Sequence, residues 1–238
     1  MSSTFLLGGE LEVRRLGFGA MRIVREPDEA PRVLRRALEL GVDLIDTADI
    51  YGTGRSEELI AEALHPYPDG LVIATKGGLG YGFQERGRDA RPERLRQACE
   101  ESLRRLRLQR IDLYQLHRHD PEVPIEESVG ALEELRAEGK IRLIGLSNVS
   151  VRQLRAAQSV ARIVSVQNEY NRGLLTSEDV LEACEAEGIG FMPWRPLGEG
   201  LGEPAAELRW LLDRSPVMLP IPGTSKVEHL EANMAAAR

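Results

Sequence analysis

The 238-residue chain reads as an α/β protein, a (β/α)8 TIM barrel with an N-terminal β-hairpin. Three observations predict it. Short apolar, β-branched runs alternate with amphipathic helical patterns, and strict alternation demands parallel strands joined by crossover helices. Eight such units in this length match the ~250 residues typical of a closed barrel. The competing doubly wound sheet would carry G-x-G-x-x-G after its first strand. The glycine stretches here, "GFGAMR", "KGGLGYG" and "LGEGLG", all fail that spacing. No linker, repeat or low-complexity tract divides the chain, so residues 1–238 are expected to form one barrel domain.

The elements follow in order. "LLGGELEVRRL" turns on Gly8-Gly9 and predicts a hairpin placed to plug the barrel bottom. Strands are expected at 16–19, 42–45, 71–75, 111–116, 142–146, 163–167, 189–193 and 217–221. Their nearly continuous apolar character suits burial on both faces. Helical patterns lie between them, from "PRVLRRALELG" to the closing "KVEHLEANMAAAR". Ser56 and Ser177, each before acidic residues, read as helix starts, and Gly41, Gly139 and Gly188 as helix stops.

Composition narrows the function. Apolar residues make up 42% and aromatics 5%, which predicts an aliphatic core. The net charge of −7 comes from interleaved charges, as in "EESLRRLRLQR", which read as solvated helix faces and not a nucleic-acid tract. The N-terminal stretch has no secretory pattern, and no apolar run is long enough to span a membrane. Cys99 and Cys184 stand alone in charged helical patterns, so neither a disulfide framework nor a metal motif is expected. A cytoplasmic monomer is the expectation.

In a barrel, chemistry collects at the C-terminal ends of the strands. Here the second strand ends in Asp46, with Tyr51 five residues on. The third ends in Lys76, the fourth in His117, the fifth in Ser147 and Asn148, the sixth in Gln167 and Asn168, and the seventh in Trp194 and Arg195. Singly, each has an ordinary explanation. Asp46 could cap a turn, Tyr51 could be a core aromatic with a wet hydroxyl, and His117 a satisfied core histidine. Ionisable groups on three successive strand ends, followed by amides and hydroxyls, favour a site. His119, two residues beyond His117, is expected to point elsewhere.

Such a set can protonate a carbonyl oxygen. A tyrosine is protonated at neutral pH, and a neighbouring ammonium is expected to lower its pKa and make it a better acid. An aspartate beside the lysine keeps the lysine charged. No side chain donates hydride, so a cofactor is required. "IPGTSKVEHLEAN" places Gly223, Thr224 and Ser225 at a helix N-terminus after the last strand, a place that favours phosphate, with Lys226 and His229 as further donors. Trp194 offers a plane for a flat ring.

With these residues in hand, the chain resembles the aldo-keto reductase family. The matching stretches are "LIDTADIYG" with "SE", "IATKGG", "RIDLYQLHRHD", "GKIRLIGLSN", "VSVQNEYN", "MPWRPLGEG" and "PIPGTSKVEHLEANM". They run in family order from about residue 14 onward. The resemblance implies a catalytic tetrad of Asp46, Tyr51, Lys76 and His117, with Tyr51 as general acid, Lys76 and Asp46 tuning it, and His117 orienting the substrate oxygen. It implies NADPH as cofactor, with NADH as the alternative, and a small aldehyde or ketone as substrate. Ser147, Asn148 and Gln167 would hold the nicotinamide carboxamide, Trp194 would stack on its ring, and Asp46 with Gly19 and Met21 would border it. Arg195, Pro196, Leu197 and Gly198 would flank the pyrophosphate. Gly223, Thr224, Ser225, Lys226, His229 and Asn233 would line the adenosine-phosphate end.

The chain departs from the family pattern in places. Trp-Arg-Pro-Leu stands where many members have Tyr-Ser-Pro-Leu. His229 stands for an arginine at the 2′-phosphate, and Ala232 for a glutamate near adenine. About ten residues separate Trp194 from the next helix, and the family's C-terminal tail is not matched, so a more open site is expected. Two other functions stay open at this point. One is a cofactor-binding regulatory or structural protein with little turnover, and the other is a lyase using Lys76 as a Schiff-base nucleophile.

Overall fold

A computed structural model describes residues 3–80, 87–198, 200 and 202–237. A two-stranded hairpin, β1 (Thr4–Leu7) and β2 (Leu11–Arg14), opens the chain. Gly8 and Gly9 make its turn at φ 58° and 71°, a left-handed conformation that glycine adopts freely. The hairpin sits where its pattern put it. Leu7 and Val13 are fully buried and join Val72, Leu113, Leu143 and Val164 in one cluster at the barrel's lower end.

Seven parallel strands follow in sequential order: β3 (Phe18–Gly19), β4 (Leu44–Asp46), β5 (Val72–Gly77), β6 (Ile111–Leu116), β7 (Ile141–Ser147), β8 (Ile163–Gln167) and β9 (Gly190–Phe191). The helices between and after them are α1 (Ala30–Glu39), α2 (Arg55–Leu64), α3 (Pro92–Leu106), α4 (Ile125–Ala137), α5 (Val151–Gln158), α6 (Glu178–Glu187), α7 (Pro204–Arg214) and α8 (Val227–Met234). Helix faces and outward strand residues share a second, larger apolar cluster. Gly41, Gly139 and Gly188 all take left-handed φ just past α1, α4 and α6, as helix stops should.

The eighth strand differs from its expectation. Residues 217–221 form no laddered strand, yet they close the ring. Val217 accepts from the Phe191 N–H and Leu219 donates back to it, at 2.8 and 2.7 Å. On the other side, Pro220 and Pro222 accept from Gly17 and Gly19 at 3.0 and 3.2 Å. Pro220 and Pro222 have no N–H to return, so the pairing is one-sided there. Gly19 and Gly223 meet at this seam with no room for a side chain. A Cβ on Gly223 would lie 2.6 Å from the Gly19 carbonyl oxygen.

Arg15, just before β3, anchors the closing segment. Its buried guanidinium donates to the carbonyls of Leu212 at 2.6 Å and Met218 at 3.3 Å, and to Ser215. One of the two serine-based helix starts is corrected: Ser56 lies inside α2, which starts after Gly54 at φ 90°. Ser177 stands at the start of α6 as expected, although its side chain makes no capping bond. The full capping box belongs to Ser150 and Gln153 at α5.

Candidate active site

Inward-facing residues alternate along each strand, and this alternation builds the site. On β4 they are Leu44 and Asp46, on β5 Val72, Ala74 and Lys76, and on β6 Leu113, Gln115 and then His117. Apolar side chains fill the barrel to mid-height and polar ones finish it. Lys76 pairs in register with Gln115, one step above Ala74, which pairs with Leu113.

At the top, Lys76 and Asp46 meet with side-chain exposures of only 0% and 3%. The Lys76 ammonium has three protons and three acceptors: Asp46 Oδ2 at 2.7 Å, the Thr47 carbonyl at 2.7 Å and the Tyr51 hydroxyl at 3.4 Å. Asp46 Oδ1 accepts from Gln167 Nε2 at 2.9 Å and Gln115 Nε2 at 3.2 Å. Gly145, beside it on β7, leaves room for the Gln115 side chain: a Cβ there would come within 2.9 Å of Gln115 Cγ. Gln115 is part of the site and carries no motif that marked it. Its place two residues before His117 on an alternating strand is the signal that identifies it.

Burial alone would lower the Lys76 ammonium, but Asp46 and Tyr51 outweigh it and hold its pKa above the ordinary value. Tyr51 corrects an expectation. Burial raises its pKa, the Lys76 charge pulls it back, and the net shift is upward, not downward. His117 stacks edge-on to Tyr51 with ring centroids 5.9 Å apart. Burial, then the charges of Lys76 and Arg118, hold its pKa well below the ordinary value, so the ring is neutral at pH 7. Its Nδ1 is buried without a partner among the described residues.

The Tyr51 loop is held from behind. Gly52, Thr53 and Gly54 all take positive φ and swing the chain from Tyr51 into α2. The Ser56 hydroxyl accepts from Thr47 at 2.8 Å and donates to the Ala20 carbonyl at 3.1 Å. Buried Glu57 accepts from Thr75 and Arg105, each at 2.6 Å. Ser56 and Glu57 therefore brace the loop, which is a use for "SE" other than helix capping.

A cavity of about 500 Å³ opens over this cluster. Asp46, Tyr51 and His117 line it, as do Gly19, Met21, Ser147, Asn148, Gln167, Trp194 and Arg195 through Gly198, and Gly223. Arg22, Val24, Ile50, Leu79 and Arg118 also line it and carried no signal in the sequence. Thr224, Ser225, Lys226, His229 and Asn233 continue from Gly223 into α8 outside that lining. The Thr224 hydroxyl accepts from the Lys226 N–H at 3.1 Å, and Ser225 donates to Glu26 at 2.8 Å. His119 bonds Gln153 at 3.0 Å, away from the cavity.

The amides divide their work. Trp194 Nε1 donates to Asn148 Oδ1 at 3.1 Å, and Asn148 Nδ2 donates to Ser147 Oγ at 2.8 Å and to the His117 carbonyl at 3.3 Å. Asn148 is thus committed to fixing the indole plane. Gln167 donates its amide N–H to Asp46, its oxygen makes no hydrogen bond among the described residues, and the residue lines the cavity. An indole plane, a free amide oxygen, a hydroxyl and a glycine-bearing loop on one wall fit a nicotinamide dinucleotide. Cys99 and Cys184 are both buried and free. Among the described residues no group of three His, Cys, Asp or Glu could hold a metal, and no helix is long and apolar enough to cross a membrane.

Known proteins resemble this chain. Residues 15–207 match the model of the aldo/keto reductase family. An uncharacterized oxidoreductase of Schizosaccharomyces pombe is 44% identical over 96% of this chain and 83% of its own length. The pyridoxine 4-dehydrogenase of Escherichia coli is 40% identical over 100% of this chain and 93% of its own. That second alignment spans 273 positions against 238 residues here, so the relative holds internal stretches that this chain lacks. A Klebsiella pneumoniae aldo/keto reductase solved with NADP and acetate superposes with a TM-score of 0.85 at 28% identity, covering 100% of this chain and 90% of that one. The chain is an oxidoreductase and belongs to the aldo/keto reductase family.

Proposed function

We propose that the chain is an NADPH-dependent reductase of aldehydes or ketones, with Asp46, Tyr51, Lys76 and His117 as its proton-transfer unit. The observation that carries this reading is the direction of the Lys76–Tyr51 hydrogen bond. Lys76 spends its third proton on the Tyr51 oxygen, so the phenol's own proton is directed away from Lys76 and serves the cavity. The nicotinamide supplies hydride to the carbonyl carbon when it is bound. Tyr51 gives its proton to the carbonyl oxygen, and the ammonium held at its oxygen stabilises the phenolate charge that remains. Neutral His117 holds the same carbonyl oxygen from the side.

Trp194, fixed by Asn148, would bear on the nicotinamide plane, while Ser147 and the open Gln167 oxygen would take its carboxamide. Lys226, His229 and the Gly223–Ser225 loop would meet the adenosine phosphates. The Klebsiella pneumoniae relative is bound to NADP, which supports the same cofactor here. The Escherichia coli relative is named for dehydrogenating an alcohol, and the unit runs in that direction with Tyr51 as base.

Tyr51→Phe tests the reading. NADPH oxidation by a panel of aldehydes, pyridoxal included, is expected to vanish while fluorescence titration shows NADPH binding little changed. Full turnover in that variant would remove Tyr51 as the proton donor.

A further inference from the structure

Arg118 has no part in the proton transfer described above, yet it lines the same cavity. It follows His117 off the end of β6, is half-buried, and stands close enough for its charge to depress the histidine. Among the described residues it makes neither an ion pair nor a hydrogen bond. The acid lining the cavity is Asp46, whose oxygens already take Lys76, Gln115 and Gln167. Arg195, by contrast, pairs with Glu169 at 3.0 Å. A half-buried guanidinium that has no acidic partner among the described residues is available to an anionic ligand through charge-assisted hydrogen bonds.

Barrel topology separates Arg118 from the cofactor phosphates. In ring order, counting β3 as the first, β6 is the fourth strand, and the closing segment 217–222 completes the ring as the eighth, next to β3. The loop of Gly223–Lys226 therefore leaves the barrel on the side opposite β6, and the stretch Arg195–Gly198 leaves one position beside it. Arg22, just after β3, lies on the phosphate side. Arg118 instead shares its side of the mouth with Ile50, Tyr51 and Leu79.

We propose that Arg118 is the anion receptor of the substrate site. The carbonyl compound then carries a carboxylate or phosphate, which pairs with Arg118 across a short apolar spacer while its carbonyl oxygen meets Tyr51 and His117. This assignment rests on the reductase reading and adds the substrate class to it. A planar fork suits either oxyanion, and the apolar wall of Ile50 and Leu79 suits the spacer.

The test compares kcat/KM for 4-carboxybenzaldehyde with that for its neutral methyl ester, in wild type and in Arg118→Met and Arg118→Lys. Wild type is expected to favour the acid by about tenfold or more, and Arg118→Met to reduce that ratio by about tenfold, chiefly through KM. Arg118→Lys keeps part of the preference. A ratio near one in wild type, or one unchanged in Arg118→Met, overturns the proposal. Adding 4-formylphenyl phosphate shows which oxyanion is preferred. Reduction of no carbonyl at all would sink the reductase reading alone. The anion site is then read by calorimetric titration with terephthalate: binding lost in a folded Arg118→Met supports the receptor, and equal or absent binding removes it.

Discussion

Lys76 Nζ lies 3.4 Å from the Tyr51 hydroxyl oxygen and donates to it, while its remaining protons are held at 2.7 Å by Asp46 and the Thr47 carbonyl. The longest of the three bonds is the one to the reacting group. It has room to shorten as negative charge builds on the phenolate, which strengthens it in the transition state. Lys76→Met is therefore expected to lower kcat by about 10²–10⁴ with NADPH affinity largely kept. It also strands a buried carboxylate, a loss of about 3–5 kcal/mol in stability. Adding Asp46→Asn is expected to recover much of that stability and none of the turnover. Denaturant unfolding beside steady-state kinetics separates the two effects, and recovered turnover in the double variant would contradict the role given to Lys76.

Asp49 gives the chain a pH-dependent stability of a definite sign. Its carboxyl is buried in the Tyr51 loop, with no hydrogen bond to either oxygen among the described residues and Arg94 standing off at 3.9 Å. Burial, then repulsion from Glu57, raises its pKa to about 7, with Arg94 and Arg105 pulling the other way. The folded state thus holds a proton that the unfolded chain releases near the ordinary carboxylate value. That contribution is fully present below about pH 4 and is lost as pH rises through about 7. His117 acts oppositely: its depressed pKa contributes stability above about pH 6.5 that is lost as pH falls. Asp49→Asn is expected to raise Tm at pH 8.5 relative to pH 6, compared with the same difference in wild type. Equal pH profiles by calorimetry would show that Asp49 does not titrate in this range.

Much of this was legible in the sequence, for reasons that particular residues make plain. Asp46, Lys76 and His117 break the apolar pattern of their strands within one residue of the strand end, and alternation alone sends them to one face. Gln115 breaks no pattern, since an amide among Tyr114 and Leu116 reads as ordinary strand. Its role appears only when β6 lies beside β5 and Gly145 leaves room. The eighth strand was visible as an apolar run, but Pro220 within it and Pro222 just after it leave a one-sided pairing that periodicity cannot foresee. The direction of the Tyr51 shift depended on a balance between burial and the Lys76 charge. Sequence supplied the charge and not the burial.

Lys226 tests the cofactor assignment. It is exposed, precedes α8, and has no acidic partner among the described residues, so its charge is available to a phosphate. Lys226→Ala is expected to weaken NADPH binding by about tenfold, the scale of one charge-assisted hydrogen bond, and to leave NADH nearly unaffected. Paired fluorescence titrations with the two cofactors read the difference. An equal loss for both would place Lys226 away from the 2′-phosphate.

Arg15 ties barrel closure to the same loop. Its buried guanidinium collects the carbonyls of Leu212, Ser215 and Met218, which lie on the run from the end of α7 into the closing segment. Desolvation lowers its pKa, and the charge of Asp213 opposes that shift. Without the Arg15 bonds the closing segment is held by the one-sided bonds at Pro220 and Pro222 and by the pairing of Val217 and Leu219 with Phe191. Arg15→Met removes these charge-assisted bonds and leaves the buried Met218 carbonyl without its guanidinium donor, an expected loss of about 3 kcal/mol or more. Because residues 217–222 lead directly into Gly223, loosening them is expected to weaken NADPH binding as well, in a residue far from the cofactor. Urea unfolding and NADPH titration on the same sample check both. A destabilised variant with unchanged NADPH affinity would show that the phosphate loop is positioned by its contacts with Gly19 and not by the closure of the ring.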